Sequence, residues 1–167
     1  MAETTNGGTA PAADGRRQLA INAQYVKDLS FENPRAPHSL LQPPQGVAPD
    51  LQVGVDVKAQ GLAQDVFEVV MTLKVETKLS GEVVFVAEIS YGAVVSLINA
   101  KPEDVPIALM VETPRLMFPY VRNIVSDVTR DGGYTPLLLS PLDFADIYRR
   151  RLADQQQQPQ PSGTATV

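Results

Sequence analysis

Asp65-Val66-Phe67-Glu68-Val69-Val70-Met71-Thr72-Leu73-Lys74-Val75-Glu76-Thr77-Lys78-Leu79-Ser80-Gly81-Glu82-Val83-Val84-Phe85-Val86-Ala87-Glu88-Ile89-Ser90-Tyr91 reads as two alternating runs joined by a turn. In the first run Phe67, Val69, Met71, Leu73 and Val75 alternate with Glu68, Val70, Thr72, Lys74 and Glu76. Successive side chains of an extended chain point to opposite faces, so a period of two makes a strand with one apolar face. Ser80-Gly81 is a turn signal. Beyond it Val83, Phe85, Ala87, Ile89 and Tyr91 share one face, and Val84, Val86, Glu88 and Ser90 the other. The run continues to Ile98, and Gly92 is expected to mark a bulge or bend in it.

Working upstream, Leu51, Val53, Val55 and Val57 sit on one face of a further strand, after a loop rich in proline (Pro34, Pro37, Pro43, Pro44, Pro49). Before that loop a strand runs from Leu19 to Glu32. Its odd positions Tyr25, Leu29 and Phe31 are apolar, and its even positions end in Asp28, Ser30 and Glu32. That alternation predicts a core face carrying Tyr25, Leu29 and Phe31. The opposite face presents two carboxylates about 13–14 Å apart along the strand, which suits a binding surface better than a catalytic pocket.

Downstream the period changes from 2 to 3.6. A short helix is predicted over 103–112, its start restricted by Pro106. Thr113-Pro114 reads as a cap and first turn, with Met117, Val121, Ile124, Val125 and Val128 on one stripe. Pro119 predicts a kink or restart, and Asp131-Gly132-Gly133 a stop. A last helix is predicted from Ser140-Pro141-Leu142-Asp143, capped by Ser140, through Phe144, Ile147, Tyr148 and Leu152.

Strands followed by helices give an α+β fold, a four-stranded antiparallel sheet with helices packed on one face. The 167 residues suffice for one domain with a core. Residues 1–17 and 154–167 read as disordered tails, the latter Gln/Pro-rich, around a domain at 18–153. The fourth strand is apolar on much of both faces and the second carries a full apolar row. Two or three helices cannot cover all of this, so self-association or an apolar partner groove is expected to take up the surplus. At roughly 25 cal/mol per Å², each exposed Val or Leu forgoes on the order of 1–2 kcal/mol.

The net charge is −5 and cysteine is absent, which disfavours nucleic acid and anionic membrane partners and excludes disulfides and thiolate chemistry. The N-terminus lacks a basic region followed by an apolar run, and no segment has the length of a membrane helix, so a cytoplasmic location is expected. Chemistry has little to work with. His38 is the lone histidine, Asp143 and Asp146 form a poor metal pair, no base is at hand to activate a serine, and Gly132-Gly133 ends a helix instead of opening one. No enzyme is expected. Asp28, Glu32 and Glu88, with Glu68 and Glu76, fit either a docking face or an ordinary solvated sheet face. The row Leu51–Val57 fits core, an oligomer interface or a groove. Arg149-Arg150-Arg151 fits a basic patch or the solvated, dipole-complementing end of a helix.

Three stretches carry a resemblance. They are Tyr25-Val26-Lys27-Asp28-Leu29-Ser30-Phe31-Glu32-Asn33-Pro34-Arg35-Ala36-Pro37-His38; then Phe118-Pro119-Tyr120-Val121-Arg122 with Arg130-Asp131-Gly132-Gly133-Tyr134-Thr135-Pro136 and Leu139-Ser140-Pro141-Leu142-Asp143-Phe144; and Asp65-Val66-Phe67-Glu68-Val69-Val70 with Phe85-Val86-Ala87-Glu88-Ile89. Over residues 18–153 the chain resembles the SecB family of bacterial export chaperones. The resemblance implies an α+β protein assembling as a homotetramer, a dimer of dimers, with no cofactor, no metal and no ATP hydrolysis. It implies a holdase that keeps precursor proteins unfolded and export-competent and delivers them to SecA of the Sec translocase. Carried over residue by residue, SecA binding falls on Asp28, Glu32, Val86 and Glu88. The client groove falls on Leu40, Leu41, Leu51, Val53, Val55, Phe144, Ile147 and Tyr148. A holdase of the same fold dedicated to a non-export partner, such as an antitoxin, is the alternative. Arg149–Arg151 stands where relatives tend to be apolar or neutral, which points to acidic or amphipathic clients.

Overall fold

One antiparallel sheet has the strand order β1-β4-β3-β2, where β1 is Gln18–Glu32, β2 Asp50–Ala63, β3 Val66–Leu79 and β4 Glu82–Ile98. The computed structural model describes residues 15–41 and 48–157, so Pro43 and Pro44 of the proline loop and most of both expected tails lie outside the described residues. A short helix α1 (His38–Leu41) follows β1. After β4 come α2 (Val105–Ile107), a π-helical turn (Ala108–Glu112), α3 (Thr113–Asp131) and α4 (Phe144–Gln157). The α+β arrangement read from the sequence is present. Met117, Val121 and Val125 of α3 are buried in one core with Met71, Leu73, Val75, Ile89 and Tyr91 of β3 and β4. Ser80 and Gly81 both have positive φ, 52° and 81°, the geometry whose twist matches that of the strands it joins.

The strands depart from simple alternation where bulges intervene. Ile21 pairs with Val95 but Ala23 with Val94, and Val26 pairs with Tyr91 but Asp28 with Ser90, so Asn22 and Lys27 are extra residues in β1. Directly opposed residues share a face, and each extra residue reverses which parity faces the helices. Leu19 and Ile21 therefore face the helices, then Gln24 and Val26, then Leu29 and Phe31. The placement of Tyr25 with Leu29 and Phe31 is corrected: Tyr25 stands opposite Gly92, on the face of Asp28, Ser30 and Glu32. Gly92 is no bulge either, because β4 runs through it in register. Its missing side chain makes room for the Tyr25 ring, since a Cβ there would lie 2.6 Å from Tyr25 Cε2. A bulge at Val84, between the pairs Thr77–Phe85 and Lys78–Val83, turns Val84 into the core at 4% exposure and places Val83 opposite Lys78, the reverse of the expected assignment for those two valines.

From Val105 to Asp131 the chain is helical throughout. Thr113 does not cap a new helix. It is itself helical (φ −59°, ψ −50°), and its N–H bonds the Ala108 carbonyl five residues back, to which its Oγ1 also donates at 2.8 Å. The wider turn absorbs Pro114, which has no N–H to give the helical ladder. Pro119 lies inside α3 without starting a fresh helix. The stop is where Gly132-Gly133 predicts it: Gly132 N–H donates to the Val128 carbonyl at 2.8 Å, and Gly133 takes φ +90°.

Helix α4 begins later than Ser140-Pro141 suggests. Asp143 is the cap in place of Ser140, its Oδ1 accepting the N–H groups of Ala145 and Asp146 at 3.0 Å each. The Asp146 N–H, with that of Ala145, holds the Asp143 carboxyl below its usual range. At its far end α4 continues to Gln157, past Asp154, where the tail was expected to begin. Arg17, assigned to the N-terminal tail, forms a two-pronged pair with Glu112 at 2.6 and 2.8 Å.

Candidate functional site

The face of the sheet away from the helices gathers four of the residues singled out in the sequence. Asp28 stands opposite Ser90, Ser30 opposite Glu88, and Glu32 opposite Val86. Glu88 is therefore the diagonal neighbour of both Asp28 and Glu32, about 7–8 Å away by strand geometry, with Val86 beside it. Asp28 and Glu32 are exposed, Glu88 and Val86 half-buried. Lys74, opposite Glu88 on β3, approaches its carboxylate only to 3.9 Å, so the patch keeps a net negative charge with one apolar member. This geometry attracts a cationic surface and loses strength with salt.

Next to that patch is a cluster that alternation did not reveal. Glu68 reads as one more polar-face carboxylate, yet it is only 6% exposed. Tyr25, lying over Gly92, donates its hydroxyl to Glu68 Oε1, Lys27 Nζ donates to the same oxygen at 2.8 Å, and Gln60 Nε2 donates to Oε2 at 2.6 Å. Side chains of β1 and β2 thus converge on one carboxylate of β3, across the glycine of β4. Lys27, then Tyr25, hold its pKa below the ordinary glutamate value, and the same contact raises that of Tyr25. The sequence signal was Gly92 itself, because a glycine inside a strand marks close approach of another group.

On the helix-covered face the apolar row of β2 is covered at one end only. Leu51 and Val53 are 41% and 40% exposed, whereas Val57 is 3% exposed. Val55 and Val57 join Met110, Ile147 and Tyr148 in an open cleft of about 350 Å³, rimmed by Asp56, Arg150, Arg151 and Asp154. Arg151 fastens α4 to the edge strand by donating to the Val57 carbonyl and to Asp56 at 3.2 Å, while Arg149 and Arg150 pair with Asp146. Phe144 is corrected to a core residue: it is 1% exposed and meets Phe118 edge-on at 6.0 Å. The amphipathic pattern of α4 was legible, but not which of its apolar residues the core would take.

Leu40 and Leu41 stand on α1, 40% and 73% exposed. Asn33 and Ser39 both bond the Tyr134 hydroxyl, at 2.7 and 2.8 Å, and Leu40 packs on Gly133, so α1 is tied to the turn after α3. His38 and Ser39 border Leu79, Ser80, Glu82 and Val84. This is the end of the sheet that also holds Leu51, whose partner is Thr77. Leu40 and Leu41 thus lie at the same end of the sheet as Leu51, while Ile147 and Tyr148 lie beside Val55 and Val57. No helix among the described residues is long and apolar enough to cross a membrane, and no group of three or more His, Asp or Glu among them could hold a metal ion.

Comparison with known proteins agrees with this architecture. Residues 12–156 match the family described as preprotein translocase subunit SecB. A protein-export protein SecB of Paramagnetospirillum magneticum is 48% identical over 84% of this chain and 90% of its own length. One of Rhodopseudomonas palustris is 43% identical over 95% and 99%. Among solved structures, a Mycobacterium tuberculosis SecB-like chaperone in complex with a ChAD peptide from an antitoxin covers 74% of this chain and 90% of its own, with a TM-score of 0.60 at 19% identity, a likeness of fold. The chain belongs to the SecB family of protein-export chaperones.

Proposed function

We propose that this protein is an ATP-independent holdase that keeps precursor polypeptides unfolded and hands them to SecA. The observation that carries this reading is the division of one sheet into two unlike faces. Asp28, Glu32 and Glu88 with Val86 offer a cationic partner a shallow acidic surface. Leu51 and Val53, continuing to Val55, Ile147 and Tyr148, offer apolar chain a cleft left open by the helices. A client without fixed shape is held by non-directional apolar burial, and many weak contacts along a groove add up to avidity without nucleotide. We also propose that the chain works as a dimer of dimers. Val26 and Leu29 on the edge strand β1, and Leu116 and Tyr120 on α3, are 41–53% exposed, apolar surface that assembly would bury.

The test uses the full chain. Light scattering is expected to give a particle of four chains, and SecA titration a complex that weakens with salt. Asp28→Lys with Glu88→Lys is expected to abolish SecA binding while suppression of precursor aggregation without ATP continues. Loss of both activities together, or of neither, counts against two separate surfaces. A holdase dedicated to one partner, as in the antitoxin-peptide complex of the structural neighbour, would instead show a single small protein in pull-downs and no SecA complex.

A further inference from the structure

Lys27 is the one basic residue next to the acidic patch along β1. It sits in the bulge before Asp28, and both side chains line the same open cavity, which extends from the outer face to Tyr148, Arg151 and Leu152 of α4. An ammonium group on a flexible four-carbon stem, one residue from an exposed carboxylate, would ordinarily neutralise it. Here it does not, because its Nζ lies 2.8 Å from Glu68 Oε1. Glu68 is in turn fixed by Tyr25 and Gln60, and Tyr25 reaches it only because Gly92 has no side chain in the way. We propose that Glu68 is a positioning residue for the docking face: it draws the Lys27 ammonium away from Asp28 and so leaves the Asp28, Glu32 and Glu88 patch negative for a cationic partner segment. The inference rests on the docking reading above and adds to it a second carboxylate that acts without touching the partner.

Three features support this role over simple scaffolding. Glu68 is nearly buried while Lys27 remains about half exposed, 7% against 48% for the side chains, so the lysine is tethered from below and its stem stays free to swing. The carboxylate has donors enough without it, from Tyr25 and Gln60. The tether also bridges the bulge, which by itself would aim Lys27 and Asp28 to the same side.

The test is a double-mutant cycle on SecA affinity at low ionic strength, with Glu68→Gln, Lys27→Met and the pair, and Asp28→Asn with Glu88→Gln as reference. Glu68→Gln keeps the shape but removes the charge that holds the Lys27 ammonium, while the Gln60 amide can turn its oxygen toward the new NH2 group, and is expected to weaken binding about three- to fivefold, the upper scale of an exposed charge pair. Lys27→Met alone is expected to change affinity by no more than about twofold, yet in the Glu68→Gln background to restore it to within about twofold of the parent, and both effects fade with salt. Equal effects of Lys27→Met in the two backgrounds would mean that only summed charge matters, and would overturn the positioning role while leaving the docking reading intact. Unchanged binding in the Asp28→Asn, Glu88→Gln reference overturns both. Should Glu68→Gln fail to fold, Glu68→Asp is the second variant, its carboxylate drawn back from Lys27 by one methylene, with a smaller weakening that Lys27→Met again erases; no weakening in it overturns the proposal.

Discussion

The Phe31 ring occupies the space a side chain at Gly132 would fill: a Cβ on Gly132 would lie 2.4 Å from the ring's Cε1 and Cζ. The end of β1 is thereby locked against the end of α3, and Phe31 stacks on Phe85 at 5.6 Å. Because Gly132 has φ −71°, its conformation does not need glycine; the space does. Gly132→Ala is therefore expected to destabilise by about 1–3 kcal/mol, the cost of overpacking a filled site. Chemical unfolding would measure it, and Phe31→Leu in the same chain is expected to recover part of the loss.

The β2 row gives a contrast between two valines of one face. Val53→Asp, at a position 40% exposed, is expected to lower aggregation suppression severalfold with stability changed by less than about 1 kcal/mol. Val57→Asp, at 3% exposure, buries an unpaired charge and is expected to unfold the protein. Similar stability losses in both would mean that the row is core along its whole length.

Asp143 and Ser140 can be separated by substitution. Asp143→Ala removes two backbone hydrogen bonds and is expected to cost about 0.5–2 kcal/mol, seen as faster amide exchange in the first turn of α4. Ser140→Ala is expected to stay within about 0.5 kcal/mol.

Acid stability reports on Glu68. Its folded pKa lies below the ordinary 4.5 because Lys27, then Tyr25, bond the carboxylate, so the folded state favours the deprotonated form. That contribution is present above the unfolded value and is lost as pH falls through the lower folded one. The stability difference between the parent chain and Glu68→Gln is expected to be largest near neutral pH and to shrink on acidification below about pH 4, in unfolding series across that range. A difference that does not change with pH would mean that the carboxylate is not held in the ionised form.

Legibility followed the physics of each element. In β3 a strict alternation from Phe67 to Val75 reports its faces directly, since no extra residue interrupts it. In β1 the same reading misplaces Tyr25, because a bulge adds a residue without any compositional mark, and Asn22 and Lys27 look like ordinary polar positions. Asp28 and Glu32 share a face as alternation predicts, because both follow the second bulge. Glu68 looked like a surface residue because its burial depends on Tyr25, Lys27 and Gln60 arriving from other strands. At Thr113-Pro114 the local preference for a fresh helix start was overridden by continuity with the turn before it, a choice set by packing of Leu109 and Val111.

The paired bulges of β1 make its length adjustable at only two places. Removing Asn22 would bring Ile21 and Ala23, already opposite Val95 and Val94, into an ordinary uninterrupted ladder, with every remaining side chain keeping its side. Removing Lys27 does the same at the cost of its tether to Glu68. Removing Leu29 or Ser30 instead throws all residues on one side of the gap onto the wrong surface. A scan of single-residue deletions through this strand is thus expected to find two tolerant positions in an otherwise intolerant segment, a punctuation of the sequence that substitution alone cannot detect.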